Sequence, residues 1–259
     1  MGNEQEIYES KKEIAMLERR EYFVVKGNDL IQKSRYALSL TEQKIVAFIC
    51  SMIKPNQEKY ELDYEISIRE YCKICNINYD SGKNYADIKA CLQKLSDKSI
   101  WLPMNDGEHL CRWLSKVVIN GSKVKLTIDI DMAPYLFGLK KKYTQYQLIQ
   151  ILGMKSVFSI RMYEILQSYA NLRRKTFEID EFRKLLMLGE KYNNFFDLRR
   201  RVIDKSITEI NELTNITTNY QTISEGRKVI KLIFDITQKQ GAALDNARLC
   251  AEKAVGAKI

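Results

Sequence analysis

The order of hydrophobic periodicities between residues 175 and 236 restricts the fold of this chain more than any other feature. Apolar residues first alternate, then recur at every third or fourth position, and then alternate again. This order predicts a short strand, a short helix, a turn at Gly189, a longer helix, and two strands joined through Glu225 and Gly226. A winged helix has this succession of elements, so the segment is predicted to form one.

The longer helix is predicted to have one apolar side and one polar side. The apolar side should be buried, and it consists of residues at helical spacing: Phe196, Val202, Ile203, Ile207, Ile210 and Leu213. The other side combines two aspartates with cations and amides that suit phosphates and base edges in a DNA major groove: Asn193, Asn194, Asp197, Arg200, Arg201, Asp204, Lys205 and Thr208. We interpret this segment as a candidate recognition helix, and the turn of the following hairpin adds Arg227 and Lys228. For the helix alone, a solvated basic face in an ordinary α+β domain is an equally good interpretation.

Composition favours a folded protein with an anionic partner. The chain has 259 residues, 45% of them hydrophobic, which is enough for two cores of about 120 residues each. Its net charge is +9, and charges of both signs are interspersed, so nucleic acid is a better candidate partner than a membrane surface. The sequence has no apolar run of about 18 to 20 residues and no hydrophobic secretion signal at its start. These features predict a cytoplasmic location and no membrane partner.

The cysteines are predicted to be reduced and buried rather than bound to a metal. Of the six cysteines, Cys72 and Cys75 form a Cys-x-x-Cys pair. A zinc site would need two further ligands at suitable spacing, and the sequence has no second such pair. Ile68, Tyr71, Cys72 and Cys75 instead fit one apolar side of a helix. We therefore expect no metal and no cofactor.

The first half of the chain repeats the order of elements found in the second. Ser39 and Glu42 have the spacing of a capping box at the start of a long helix, and a strand from Tyr60 leads into a short helix at residues 67–75. The next helix should bury Tyr85, Ile88, Leu92 and Leu95 and leave three candidate DNA contacts outside: Lys83, Lys89 and Lys94. A hairpin follows around Asn120-Gly121, the dipeptide that best tolerates a tight turn. It carries Lys116, Lys123 and Lys125, of which Lys123 is a further candidate contact.

These patterns predict an α+β protein with two tandem winged-helix domains related by internal duplication. We place an N-terminal arm at residues 1–22, the first domain at 23–138, the second at 139–237, and a C-terminal tail without an assigned role at 238–259. Basic residues after the second helix of each half are harder to explain by chance than one arginine cluster. The duplication therefore favours DNA binding.

Three segments resemble the plasmid replication initiators of the Rep_3 superfamily. The likeness covers about residues 22–236 and is carried by the segments 24–53, 143–169 and 176–211. Its most specific parts are LTEQ at 40–43, SIRMYE at 159–164 and the stretch from Tyr192 to Asn211. The resemblance implies two winged-helix domains that bind origin repeats called iterons. It assigns the main DNA contacts to the second domain, and dimerisation with auxiliary DNA contacts to the first.

The same resemblance implies which residues and partners act in replication. It points to Asn194, Arg200, Arg201 and Lys205 for groove and phosphate contacts. It also implies that monomers bind an array of repeats and help to open the adjacent duplex, whereas dimers bind an inverted repeat in the operator and repress their own promoter. The host initiator ATPase, the helicase and chaperones are the further partners that it suggests.

Enzymatic chemistry is not expected from this sequence. A rolling-circle initiator needs a His-x-His metal site, but the chain has one histidine, His109. The sequence has no phosphate-binding loop of the Gly-x-x-x-x-Gly-Lys-Ser/Thr type either. Two alternatives to an initiator stay open: a tandem winged-helix transcription regulator without origin function, and a protein-binding module whose cations serve solvation alone.

Overall fold

A computed structural model of the protein describes residues 18–54, 59–79, 82–104 and 106–256. Most of the predicted N-terminal arm lies outside these residues. Its described end forms a 3-10 helix at Glu18–Glu21, in which Arg20 is buried and donates from Nε to the carbonyl oxygen of Ile74 at 2.8 Å. This part of the arm therefore packs against the first half of the chain.

Strands and helices follow the predicted order in both halves. The first half contains β1 (Phe23–Gly27), helices Asn28–Lys33 and Leu40–Met52, β2 (Asp63–Ser67), helices Ile68–Ile74 and Gly82–Asp97, β3 (Ser99–Met104), β4 (Gly107–Arg112), β5 (Leu114–Asn120), β6 (Lys123–Ile128) and helix Ala133–Leu136. The second half contains β7 (Tyr143–Gln147), helices Ile149–Leu152 and Val157–Ser168, β8 (Arg174–Glu178), helix Ile179–Leu185, a long helix from Phe195 to Leu213, β9 (Ile216–Glu225), β10 (Lys228–Gln238) and the C-terminal helix Ala242–Val255. We call Gly82–Asp97 helix R1 and the helix from Phe195 to Leu213 helix R2.

The predicted duplication is confirmed by the sheets. One three-stranded sheet has the order β2-β6-β5 and the other has the order β8-β10-β9, so each consists of the strand before the two helices and the hairpin after them. The hairpins β5–β6 and β9–β10, which we call wing 1 and wing 2, are antiparallel. The α+β prediction of two tandem winged helices is therefore correct.

The two halves face each other across a local two-fold relation that the sequence did not predict. The equivalent strands β1 and β7 pair antiparallel, with Val25 opposite Gln145 at the centre. Lys44 and Arg161 occupy the same position in the two long helices, counted from the caps Ser39 and Ser156. Lys44 Nζ donates to the Leu152 carbonyl at 2.6 Å, and Arg161 donates to the Ser34 carbonyl at 3.1 Å. Each half therefore makes the same kind of contact with the other.

A buried ion pair lies at the centre of this contact. Lys26 Nζ is 2.6 Å from Glu164 Oε1, and the Tyr146 hydroxyl donates to the same oxygen at 2.6 Å. Burial disfavours the charge on Glu164, but the Lys26 ammonium and these hydrogen bonds outweigh it and lower the pKa of the Glu164 carboxyl. Both side chains are almost fully buried. Removing one partner would leave an uncompensated charge inside the protein.

Two details of the first half differ from the sequence prediction. The two turn residues of wing 1 are Gly121 and Ser122, one position later than predicted, because Asn120 pairs with Lys123 and Gly121 has the positive φ of 58° that the turn requires. A second hairpin, β3–β4, precedes wing 1 and was not predicted as a separate sheet. It carries His109, whose Nε2 lies 2.9 Å from Asp106 Oδ1.

The C-terminal tail, to which the sequence assigned no role, forms a helix that contacts both halves. Its residues Ala247, Ala251 and Val255 are buried. It packs so closely on Gly153 that a Cβ atom there would lie 2.6 Å from the Cβ of Ala254. On its other side Arg248 forms an ion pair with Glu21. The C-terminal helix therefore contacts both the second half and the described end of the N-terminal arm.

Four of the six cysteines are buried as predicted, whereas Cys75 and Cys250 are half-buried. All six cysteines are free thiols, and burial raises the pKa of the Cys50 thiol to about 11. No group of metal-ligating side chains occurs within the described ranges. No helix in the part of the chain that the structure describes is long and apolar enough to cross a membrane.

Candidate DNA-binding surface

The start of helix R2 is fixed by a cap and by an arginine that sequence analysis missed. Asn194 is the N-cap, and its side chain accepts a hydrogen bond from the backbone N–H of Asp197 at 2.7 Å. The Arg183 guanidinium donates to the carbonyl oxygens of Gly189, Lys191 and Tyr192 at 2.7–2.9 Å and to Asn193 Oδ1 at 3.0 Å. Arg183 therefore holds the loop that precedes the helix. Its place at the end of a short helix gives no sequence signal for this role.

Helix R2 contains a π-helical turn that changes which side chains are buried. The helix is α-helical at Phe195–Leu198 and Asp204–Leu213 and π-helical at Arg199–Ile203, where the N–H of Asp204 donates to the carbonyl of Arg199. Such a turn bonds residue i to i+5 rather than i+4, so the helix before it is rotated relative to the helix after it.

Two residues of the predicted apolar side are not buried. Phe196 was predicted to be buried, but its side chain is 65% exposed, and Leu198 is buried in its place. In a regular α-helix, Phe196 would lie on the same side as Ile203, two turns away, and Ile203 is fully buried. Ile207 is half-buried rather than buried, because Ser206 occupies the inner position of that turn. Val202, Ile203, Ile210 and Leu213 are buried as predicted.

The arginines and the lysine of helix R2 fall into two groups. Arg199 lies 3.3 Å from Asp204, and Arg201 lies 3.5 Å from Asp197, so both are paired within the helix. Arg200 and Lys205 are exposed and, within the described residues, form no ion pair. Arg200 and Lys205 are therefore the cations of this helix that are free to meet an anionic ligand.

The two predicted asparagines are already engaged inside the protein. Asn194 caps helix R2, and its Nδ2 donates to Asp197 Oδ2 at 2.7 Å. Asn193 donates to Glu190 at 3.2 Å and accepts from Arg183. Both positions lie at the exposed beginning of the helix, but a base contact would require these hydrogen bonds to be exchanged. As DNA contacts they stay predictions.

Wing 2 presents its predicted cations at the tip of a long hairpin. The turn consists of Gly226 and Arg227, with a φ of 57° at Gly226, and the side chains of Arg227 and Lys228 are exposed. The wing is tied to helix R2, because the Tyr220 hydroxyl donates to Asp204 at 3.2 Å. Burial and the nearby Asp204 carboxylate raise the pKa of Tyr220 to about 12, so the phenol stays protonated and can keep donating.

The lysines of helix R1 lie on its outer side, as predicted. Ile88, Leu92 and Leu95 are buried. Tyr85, which was also predicted to face inward, is half-buried and donates its hydroxyl to the carbonyl of Gly121 in wing 1 at 2.8 Å. The predicted contacts on the outer side of this helix are all exposed: Lys83, Lys89 and Lys94.

Wing 1 is less positive than its lysine count suggests. Glu65 on β2 lies 3.4 Å from Lys123 and 3.9 Å from Lys125. One carboxylate therefore faces two of the cations that the sequence placed on this wing. Since these groups are largely exposed, the pairs are weak, but they reduce the local field.

The arrangement of helices and wings matches known initiators. The family model described as "Initiator Replication protein, WH1" matches residues 23–167, and the one described as "Initiator Rep protein, WH2" matches residues 178–236. The chain belongs to the Rep3 family of replication initiators. Helices R1 and R2 and wing 1 of this Rep3 chain lie inside the matched ranges, and wing 2 lies inside them as far as Ile236.

Individual relatives agree with this assignment. A replication initiation protein of Escherichia coli is 25% identical over 226 residues, which cover 83% of the Rep3 chain and 70% of the relative. The PI protein of Escherichia coli is 31% identical over 130 residues, which cover 43% of the chain and 42% of that protein. The crystal structure of the Pi initiator protein in complex with iteron DNA superposes with a TM-score of 0.70 at 19% identity and covers 86% of the chain and 99% of that structure. The last comparison supports the fold.

Proposed function

We propose that this protein initiates plasmid replication by binding the direct repeats of its origin. The observation that carries the proposal is the exposed pair Arg200 and Lys205 on helix R2, in a chain that belongs to a family of replication initiators. A guanidinium can bind guanine O6 and N7 at two points, and an ammonium can neutralise a phosphate. The Pi initiator, which has the same fold, was crystallised with iteron DNA, which supports repeats as the ligand.

The local two-fold relation supports engagement of DNA by both halves. Elements related by a two-fold axis lie at the same height along that axis, so helices R1 and R2 can address one side of a duplex. Two recognition elements on one side enter successive major grooves about 10 base pairs apart, and one subunit would cover roughly 20 base pairs. We propose that the first domain, at residues 23–138, supplies auxiliary contacts and the second, at 139–237, the main ones.

Each predicted cation has a role in this proposal. Arg200 reads a base, and Lys205 binds phosphate beside it. Arg227 and Lys228 on wing 2 bind backbone phosphates flanking the groove. Arg201 joins them when DNA replaces Asp197 as its partner. The lysines of the first half act as phosphate contacts: Lys83, Lys89, Lys94 and Lys123.

The proposed mechanism uses binding energy and has no covalent step. Monomers bound along an array of repeats would strain the neighbouring duplex, and the host initiator ATPase and helicase would then load onto the opened strands. A dimer, formed through the first domain, would bind an inverted repeat at the promoter and repress transcription. In this proposal the protein acts on plasmid DNA in the bacterial cytoplasm, and host chaperones are further candidate partners.

Binding to repeats beside the gene of this protein tests the proposal. The purified full chain should bind direct repeats from that flanking DNA, and its affinity should fall by roughly 10³ to 10⁵ between 50 and 200 mM salt if six to ten phosphates are contacted. A scrambled duplex of equal length is the control for specificity. A salt-independent affinity would contradict DNA binding as the main activity.

Replication itself separates an initiator from a transcription regulator of the same fold. A plasmid that carries the repeats and the gene should replicate in a host that does not maintain its parent vector. The same plasmid with the Arg200→Ala variant should not. Repression of the promoter without plasmid maintenance would favour the transcription regulator.

A further inference from the structure

The exposed ring of Phe196 lies on the side of helix R2 that carries the free cations. Phe196 and Arg200 are one helical turn apart, and the Arg200 guanidinium carbon is 5.7 Å from the centre of the Phe196 ring. Lys205, which is also exposed and forms no ion pair within the described residues, follows Arg200 five residues later, after the π turn. Phe196, Arg200 and Lys205 therefore form one exposed row along the helix.

The position of this phenylalanine has no explanation in the packing of the protein. The side chain is 65% exposed, whereas its neighbour Phe195 packs partly against the core. The π turn is what turns Phe196 outward, and such turns occur frequently at functional sites. A helix in a major groove uses its first residues to contact base edges, and Phe196 is in the first turn of helix R2.

We infer that Phe196 reads the C5-methyl group of a thymine in the repeat and that its ring orients Arg200 toward a neighbouring guanine. This inference rests on the proposed function. A thymine methyl is the apolar group that the major groove offers, and phenylalanine is among the side chains that contact it. A guanidinium over an aromatic ring is attracted to its face, so fewer conformations of Arg200 compete with the one that reaches guanine.

The geometry fixes the spacing of the two bases. Side chains at i and i+4 on a helix are separated by about 5 to 6 Å at their Cβ atoms, and successive bases of one strand are about 3.4 Å apart along the axis. Phe196 and Arg200 therefore address bases within one or two steps of each other. The repeat should contain a thymine within that distance of the guanine that Arg200 contacts.

Removing single methyl groups from the DNA tests the inference. Thymines of the footprinted repeat are replaced one at a time by deoxyuridine, which lacks the methyl group and pairs in the same way. The wild-type chain should lose about fourfold in affinity at one thymine, the value expected for one methyl-sized apolar group. Phe196→Ala should bind the unmodified repeat more weakly and show no further loss at that thymine.

Two more variants separate base reading from a general loss of structure. Phe196→Leu keeps an apolar side chain and should keep part of the methyl sensitivity. Leu172→Ala removes another strongly exposed apolar side chain, 66% exposed and outside helix R2, and should behave like wild type. A parallel scan with 7-deazaguanine, which lacks N7, should locate the guanine that becomes indifferent in Arg200→Ala.

The outcomes distinguish this inference from the proposed function. If the wild-type chain protects no repeat, both are overturned. If it protects the repeat but no thymine methyl matters, or if Phe196→Ala retains the full methyl sensitivity, the reading role of Phe196 is overturned while DNA binding stands. If the sensitive thymine lies more than two steps from the guanine read by Arg200, the orienting role of the ring is overturned.

Discussion

Helices R1 and R2 occupy the same place in two related domains, yet they differ in the side chains that they expose. Helix R2 has a capped start, a loop held by Arg183, a π turn and the exposed row of Phe196, Arg200 and Lys205. Helix R1 is α-helical throughout, and its predicted contacts are lysines. An arginine fork can discriminate bases, whereas lysine acts as a point charge. We propose that the same fold serves base reading in the second copy and phosphate binding in the first.

The largest expected effect concerns the contact that joins the two domains. Replacing Glu164 by Ala leaves the buried Lys26 ammonium without its partner and should reduce the free energy of unfolding by about 3 to 5 kcal/mol. Replacing both residues, as Lys26→Met with Glu164→Leu, should cost far less because no buried charge remains. Urea unfolding measures both. Equal losses in the single and double variants would contradict the assigned importance of the ion pair.

The pH dependence of this pair has a definite sign. The pKa of Glu164 is lower in the folded protein than its ordinary value of 4.5, so the pair contributes stability above that value and loses it as the pH falls through the folded pKa. A Glu164→Gln variant should therefore lose less stability on acidification than wild type.

The next largest effect is the loss of unfolding free energy when a core residue of helix R1 or R2 is truncated. Leu92 in R1 and Ile210 in R2 are fully buried, and truncating either one to alanine should cost about 2 to 5 kcal/mol of unfolding free energy. Ile207→Ala is the matched control, since this half-buried side chain leaves a smaller cavity and should cost less. An Ile207→Ala loss as large as that of Ile210→Ala would show that the inner side of helix R2 has been assigned incorrectly.

A smaller effect on DNA affinity should distinguish a residue that reads a base from one that contacts phosphate. Arg200→Ala should weaken binding to the repeat by about 1 to 3 kcal/mol and relax the preference at one base pair, whereas Lys89→Ala should weaken all duplexes alike. Arg199→Ala is the control on the same helix, because that arginine is paired with Asp204. Competition binding with single-base variants of the repeat is the measurement. A uniform loss for Arg200→Ala would remove the distinction between the helices.

The smallest effect tests the wings. Lys228→Ala should reduce the slope of log affinity against log salt by about 1. Lys123→Ala should reduce it less, because Glu65 already offsets part of that charge. Salt titrations of both variants against wild type give the two slopes, and a larger change for Lys123→Ala would contradict the lower field assigned to wing 1.

Local patterns predicted the elements of the fold because the causes of those elements are local. The capping box at Ser39 and Glu42 is present with both of its hydrogen bonds, and wing 2 turns at the predicted glycine. The pairing of β1 with β7 was not predictable in this way, because it joins segments more than a hundred residues apart in sequence and leaves no periodic signal.

The sequence predicted that Arg200 and Lys205 are exposed, but not that Phe196 is exposed beside them. Periodicity assumes a constant number of residues per turn, so the π turn at Arg199–Ile203 reversed the assignment of Phe196. Arg183 was missed for a different reason: it acts on backbone carbonyls, and any loop of suitable shape could accept its hydrogen bonds.

Hydroxyl-radical footprinting of the purified full chain on one repeat tests the central claim most directly. We predict two protected tracts on one side of the duplex, about 10 base pairs apart, within a site of roughly 20 base pairs. The tract bound by helix R2 should weaken in Arg200→Ala, and the other should weaken in a Lys83→Ala and Lys94→Ala double variant. A single protected groove, or two tracts on opposite sides of the duplex, would contradict the account.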